Sequence, residues 1–307
     1  MIKIDIFIIV DRTFKMYKLN VWTWNVNSIR TKVNLVKLLL GKYDIDILLI
    51  TETKIQQIHE KDIAIPGYKV IFNSNKNSYH HGVCIFYKDN LKVDYLGGTL
   101  PTSSKPRIIM VNQKNAKAIL AIKHETLVSD VTKAHNTEGR ILSLLVKING
   151  KNIILVGTYV PNSGVNRNDP LKRLAYRTVY WDRDIYSYLL ELEKVYKNVI
   201  WFGDLNVARF DNDMYKKELN YAGTTPEERS NFNDFLIKSN WIDTWDTLNP
   251  SITNHRNRCT YGVDTNCKLR LDYVLCSSQL KENIKTSVVD QGFEGSDHVP
   301  IGTLFQF

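Results

Sequence analysis

The chain has 307 residues, 43% of them hydrophobic and 24% charged, with a formal net charge of +9. Those proportions exclude a disordered chain, and no apolar run approaches the roughly 18 residues that a membrane span needs. The basic balance points to a polyanionic partner such as nucleic acid or a phosphorylated surface, and by itself it says nothing about chemistry.

Residues 1–16 contain a short apolar run that Asp5, Asp11 and Arg12 interrupt, with no small-residue cleavage site after it. A signal peptide is therefore not expected here. It reads as an N-terminal extension, with Met16 as an alternative start, ahead of one continuous domain over 17–307 that no repeat or linker divides. "YKLNVWTWN" alternates as a half-buried strand ending near Asn25, and "RTKVNLVKLLLGKY" then carries helical spacing at Val33, Val36, Leu39 and Leu40. "DILLITETK" is a continuous apolar run suited to a central strand with Glu52 at its exit. Further strands are expected at "GVCIFYK", "RILSLLVKI", "NIILVGTYV", "NVIWFG", "RLDYVLC" and "VPIGTLFQF".

Asp169 and Pro170 open a long helix to about Tyr196, and "TPEER" places Thr225 at an N-cap with Pro226 next and Glu228 completing a capping box. The segment from about Leu100 to His135 is read as an elongated hairpin whose lysines and Arg107 are candidates for phosphate contact or for a solvated basic face. Four cysteines, Cys84, Cys259, Cys267 and Cys276, show no CxxC pair and no metal-ligand spacing, which suits reduced thiols in an intracellular protein. Strands outnumber helices and often follow one another directly. The expected class is therefore α/β (α+β), with two mixed, mainly antiparallel sheets packed face to face and flanked by helices.

Polar residues recur where the apolar runs stop: Asn25 and Asn27, Glu52, Tyr159 and Asn162, Asp204 and Asn206, Asp272, and Asp297 with His298. Singly, each has an ordinary explanation as a turn former, a strand-end charge or a half-buried aromatic. Together they place site-type residues at six separate strand ends, which independent coincidence does not account for. The inventory is rich in oxygen and fits a hard divalent cation, Mg²⁺ with Mn²⁺ able to replace it, better than zinc. Phosphoester cleavage asks for such a set. The uncatalysed reaction is so slow that acceleration can reach roughly 10²¹ for monoesters, whereas a single general base supplies about 10² to 10⁴. A cation, neutral amides that donate to the phosphate and a carboxylate that positions water must act together. Asp272 is suited to hold His298 as an imidazolium facing the phosphate.

The stretches "WTWNVNSIR", "LLITETK", "PGYKV", "NTEGRI", "TYVPNSG", "RLAYR", "WFGDLNVA", "AGTTPEER", "LRLDYVL" and "GSDHVPI" resemble, in order from about residue 18 to the end, the exonuclease III class of abasic-site endonucleases. This class lies within the endonuclease/exonuclease/phosphatase superfamily. The resemblance implies a four-layer α/β sandwich, Mg²⁺ dependence, and hydrolysis of the phosphodiester 5′ to an abasic site in duplex DNA, with 3′-5′ exonuclease or 3′-phosphatase activity as a companion. It implies Glu52 as principal metal ligand with Asn27 and Asp297 near the ion. Asp204, held by Asn25, would orient or deprotonate the attacking water. Asn162, Asn206 and Tyr159 would sit at the phosphate, and His298 paired with Asp272 would polarise it.

For DNA contact the resemblance points to Arg140, Arg270 and Leu269. Leu269 stands where vertebrate-like members carry a Trp, and the aromatic that would pack with it lies near Tyr261. Val165 stands where those members place an Arg that enters the duplex, leaving Arg167 or Arg173 as replacements. Asn27, an Asp in some members, removes one charge from the metal site. A monomer inside the cell with access to DNA is expected. The rival readings are a less specific nuclease or phosphoesterase on the same fold and a non-catalytic nucleic-acid-binding protein. Positive charge and "LRLDY" weigh against a lipid substrate, and the joint presence of Glu52, Asp204 and His298 weighs against a mere binder.

Overall fold

The computed structural model describes residues 16–74, 79–100, 107–109, 121–123, 138–164, 173–216, 221–263 and 267–307. Strand β1 (Lys18–Asn25) leads to helix α1 (Val33–Tyr43), then β2 (Ile47–Thr51), β3 (Tyr68–Asn73), β4 (Val83–Lys88) and β5 (Lys92–Gly97). A short antiparallel pair, β6 (Arg107–Ile109) and β7 (Ala121–Lys123), precedes β8 (Ile141–Ile148) and β9 (Lys151–Tyr159). A π-helical turn over Tyr176–Trp181 runs into α2 (Asp182–Tyr196), followed by β10 (Val199–Asp204), α3 (Pro226–Ser239) and β11 (Ile242–Asp243). The chain finishes with α4 (Thr244–Leu248), α5 (His255–Arg258), β12 (Asp272–Cys276), β13 (Ile284–Val289) and β14 (Ile301–Gln306).

The strands other than β6 and β7 form two six-stranded sheets, in the orders β13-β14-β1-β2-β4-β3 and β11-β12-β10-β9-β8-β5. Each sheet has one parallel pair at its centre, β1 with β2 and β9 with β10, and antiparallel neighbours on both sides. Side-chain alternation explains why the central strands read as unbroken apolar runs. Ile47 and Leu49 of β2 face Leu155 and Phe202 across the gap between the sheets, while Leu48 and Ile50 turn outward to Val36, Leu39 and Leu40 of α1. Likewise Val199 and Trp201 of β10 face Leu189, Phe232 and Phe235 of α2 and α3. Both faces of each sheet are thus covered, which gives the four layers expected of the sequence.

The parallel pairing fixes where the site forms. It brings the C-terminal ends of β1 and β2 together, with Asn25 opposite Thr51, and those of β9 and β10, with Tyr159 opposite Asp204. Antiparallel β12 enters at the same rim, so Asp272 lies opposite Asp204. Gly203, just before Asp204, has φ +142, and a Cβ there would collide with the Thr158 carbonyl, so glycine lets β10 approach β9 closely at its last step.

The Thr225 cap forms as its sequence signals: Thr225 Oγ1 accepts from Glu228 N–H and Glu228 Oε2 accepts from Thr225 N–H, both at 3.3 Å. The Asp169–Pro170 helix start, Val165 and Arg167 lie outside the described residues. Within the 100–135 segment the described parts are Leu100 and the antiparallel β6–β7 pairing; the rest of the expected elongated hairpin lies outside the described residues. One expectation needs correction. Cys259 and Cys267 form a disulfide, because the chain folds back between α5 and β12 and brings their Cα atoms to 5.7 Å; Cys84 and Cys276 are buried free thiols. Among the described residues no helix is long and apolar enough to cross a membrane.

Candidate active site

At the shared rim, Asn25 joins the two sheets. Its carboxamide Nδ2 donates one hydrogen to Glu52 Oε1 at 3.0 Å and the other to Asp204 Oδ2 at 2.9 Å, while its Oδ1 accepts from Asn27 N–H at 3.1 Å. Asn25 is fully buried, so this connection is shielded from competing water. Glu52 Oε1 also accepts from the Tyr159 hydroxyl at 2.8 Å, and Oε2 meets the Lys54 ammonium at 2.7 Å. Burial alone would raise the Glu52 carboxyl, but Lys54, Asn25 and Tyr159 overcome it and hold the group down at about 2. The same burial, with Glu52 as a neighbour, drives the Tyr159 phenol well up, so it stays protonated and donates.

Behind this rim sits a second acidic group. His298 Nδ1 meets Asp272 Oδ2 at 2.7 Å, and its Nε2 lies 3.9 Å from Asp204 Oδ2. Burial works to lower His298, yet the bond to Asp272 and the nearby Asp204 raise it, so the ring is an imidazolium with Nδ1–H aimed at Asp272. Asp204 is pushed upward by burial and by Asp272, with His298 opposing. Asp204 Oδ1 accepts from the Asn206 N–H at 3.0 Å, which fixes the loop just past β10. Asn162 Nδ2 donates to Asn206 Oδ1 at 3.3 Å, and Asn206 Nδ2 donates to the Val160 carbonyl at 2.8 Å. The two carboxamides therefore stand side by side.

Several of these residues hold left-handed backbone conformations: Asn27 has φ 47, Glu52 φ 51 and Asn206 φ 49. Asn tolerates that region, whereas Glu pays a steric cost on the order of 1–2 kcal/mol. Backbone bonds from Ser28 N–H to the Glu52 carbonyl at 2.8 Å and from Thr53 N–H to the Gly82 carbonyl at 3.0 Å hold the Glu52 turn in place.

Asp297 completes the outer group, with its Oδ1 accepting from Asn27 Nδ2 at 3.4 Å. Glu52, Asn27 and Asp297 offer oxygen donors at the solvent edge of the cleft, a set that fits a hard divalent cation. Asp204, Asp272 and His298 also place ligand atoms within 4.8 Å of one another. Asp204 Oδ2 and Oδ1 accept from Asn25 and Asn206 and Asp272 Oδ2 meets the His298 ring, which suits the inner group to holding a proton, while Asp272 Oδ1 is buried without a hydrogen-bond partner. The cleft has a volume of about 720 Å³. Its lining combines Glu52, Tyr159, Asn162, Asp204, Asn206, Asp297 and His298 with Tyr215, Tyr221, Tyr261 and Leu269. The Tyr261 ring lies 4.8 Å from the His298 ring, and the Cys259–Cys267 bridge closes the loop that carries it.

The ten strand-end residues thus gather in one place, whereas two of the arginines expected at DNA do not face a surface. Arg270 is fully buried, with Nη1 and Nη2 on the Asp243 carboxylate at 2.9 and 2.7 Å, and ties β12 to the start of α4. Arg140 is 1% exposed, paired with Glu138 and stacked 4.8 Å above the Tyr159 ring, which it braces. Neither presents a charge to DNA, since burial and a carboxylate partner absorb it. Arg173 stays partly exposed and pairs with Glu138 at 3.1 Å. Sequence reasoning gave no role to Lys54, whose position two residues after Glu52 was the available signal, or to Tyr215 and Tyr221.

A profile of the endonuclease/exonuclease/phosphatase family matches residues 22–298. A DNA-(apurinic or apyrimidinic site) endonuclease from Dictyostelium discoideum is 30% identical over 94% of this chain and 70% of its own length. An exodeoxyribonuclease from Bacillus subtilis is 29% identical over 91% of this chain and 96% of its own. Among solved structures, an AP endonuclease from Leishmania major superposes with a TM-score of 0.75 over 94% of this chain and 88% of that one, at 24% identity.

Proposed function

The chain belongs to the endonuclease/exonuclease/phosphatase family, whose members are metal-dependent phosphoesterases, and from that premise we propose that it is a DNA repair endonuclease hydrolysing the phosphodiester 5′ to abasic sites in duplex DNA. The observation that carries this reading is Asn25, which gives one amide hydrogen to Glu52 and one to Asp204 and so locks a cation-binding carboxylate against a water-activating one. Glu52, Asn27 and Asp297 would hold Mg²⁺, which supplies charge neutralisation at the phosphate and at the departing oxygen.

The chain's own residues do the rest. Asp204, raised toward neutrality, orients a water in line with the phosphorus and takes its proton as the new P–O bond forms and the P–O3′ bond breaks. The His298 imidazolium, kept charged by Asp272, faces the non-bridging oxygens. Asn162 and Asn206 offer neutral donors to the same oxygens without adding repulsion. The reading that this chain also removes nucleotides from DNA ends is favoured by the Bacillus subtilis exodeoxyribonuclease, which aligns over nearly its whole length; 3′-phosphatase activity is a companion expectation of the same proposal.

The test is strand incision on three substrates: matched duplex, the same duplex with an abasic analogue, and a duplex with a 3′-phosphate end, each with Mg²⁺ and with chelator. Chelator-sensitive cutting restricted to the 5′ side of the analogue is the expected result. Equal cutting of matched duplex moves the assignment to a nonspecific nuclease, and no cutting with Mg²⁺ or Mn²⁺ removes the enzyme reading. Residues 17–307 acting as one monomeric catalytic unit inside the cell belong to the same proposal.

A further inference from the structure

Glu52 uses its two carboxylate oxygens differently. Oε1 is turned inward and accepts from Asn25 and Tyr159, while Oε2 faces the cleft and meets Lys54 at 2.7 Å. The same ammonium donates to Asn27 Oδ1 at 2.6 Å. These are two of the oxygens that a divalent ion would share, so a monovalent cation belonging to the chain already bridges them. The placement is built into the loop: Glu52 and Lys54 have φ 51 and φ 47 on either side of Thr53, and Lys54 N–H is pinned to the His81 carbonyl at 2.9 Å. A second ammonium, Lys32, donates to the Val26 carbonyl and lies within electrostatic reach of Asp297 and Glu52. Glu52 and Asp297 therefore face Lys54 and Lys32, and Asn27 adds no charge. A site so balanced has little electrostatic attraction left for a divalent ion.

Resting on the metal reading above, we propose that Lys54 is a resident competitor of the divalent cation, bridging Glu52 and Asn27 in the free protein so that ion uptake requires its ammonium to leave. An incoming DNA phosphate offers that ammonium another anionic partner, which couples ion binding to substrate binding.

Mn²⁺ binding to the full chain, followed by the paramagnetic resonance of the free ion, tests this without any turnover. In the absence of DNA, Lys54→Met is expected to bind Mn²⁺ about tenfold more tightly than the parent, since one opposing unit charge has gone. Asn27→Asp leaves the lysine in place, adds a carboxylate, and is expected to tighten binding by a similar factor; it guards against a folding defect in the lysine variant. In an Asp204→Asn background that keeps the substrate whole, an abasic-analogue duplex is expected to tighten Mn²⁺ binding, and Lys54→Met to remove most of that gain. Unchanged or weaker binding in Lys54→Met, with Glu52→Gln still abolishing it, overturns the role of Lys54 and leaves the metal site standing. Binding that survives Glu52→Gln overturns both.

Discussion

The two acidic groups of the cleft sit within one hydrogen-bonded network and are neutralised in opposite ways. The inner group is closed: the Asp204, Asp272 and His298 side chains are 2%, 0% and 5% exposed, and its charges are balanced by a proton on imidazole and by fixed amide donors. The outer group is open. Glu52 and Lys54 are 19% and 31% exposed, and the Lys54 ammonium supplies the balancing charge. Under the proposed function, depth would separate proton chemistry from cation chemistry, because a buried carboxylate must find its partner in the fold while a rim carboxylate can exchange partners with solvent. Asn25 prevents the two from drifting apart.

The largest expected effect is on the inner group. Asp204→Asn keeps the shape and removes the base, and incision of an abasic duplex at saturating Mg²⁺ should fall by about 10² to 10⁴ in kcat. A loss of under tenfold would take the water-activating role away from this residue. Asp272→Asn should cost less, about 10², and it carries a signature that a structural defect would not. His298 loses the partner that raises it, so the alkaline limb of the pH–rate profile should move to lower pH. An unmoved limb would mean that another group sets it.

The smallest effect concerns the outer group and stability. The Glu52 carboxyl is lowered from 4.5 to about 2 by folding, so its stabilising contribution is complete above about 4.5 and disappears as pH falls toward 2. Glu52→Gln should accordingly flatten the decline of urea-unfolding free energy across that window. An unaltered slope would place the acid sensitivity elsewhere.

Much of this arrangement was legible in the residues, for reasons that differ by element. The central strands announced themselves because both of their faces are covered, as in "ILLIT" and "VIWF", and their exits delivered the cleft residues in order. The strands that were not anticipated, β3, β5, β11 and β13, are all sheet edges, where shortness or charged and polar residues such as those of "KVDYLG" and "IKTSVV" mask the alternation. Arg270 looked like a surface cation because its neutralising partner, Asp243, lies 27 residues away in sequence. The Cys259–Cys267 pairing was hidden for a related reason. Eight residues of separation match no motif, and only the fold-back between α5 and β12 makes the two sulfurs neighbours.

Strand β1 lies between β2 and β14, and Tyr17 and Phe307 exchange backbone hydrogen bonds at 3.1 and 2.8 Å, so the earliest and latest parts of the domain are zipped to each other. Asn25 leaves the ribosome long before Asp297 and His298 do, an interval on the order of tens of seconds at ordinary translation speeds. Throughout that time β1 has an unpaired edge where β14 belongs, and the cleft lacks its imidazole. Until β14 docks, nothing brings His298 to Asp272 and Asp204, so the inner acidic group closes only once that strand is in place.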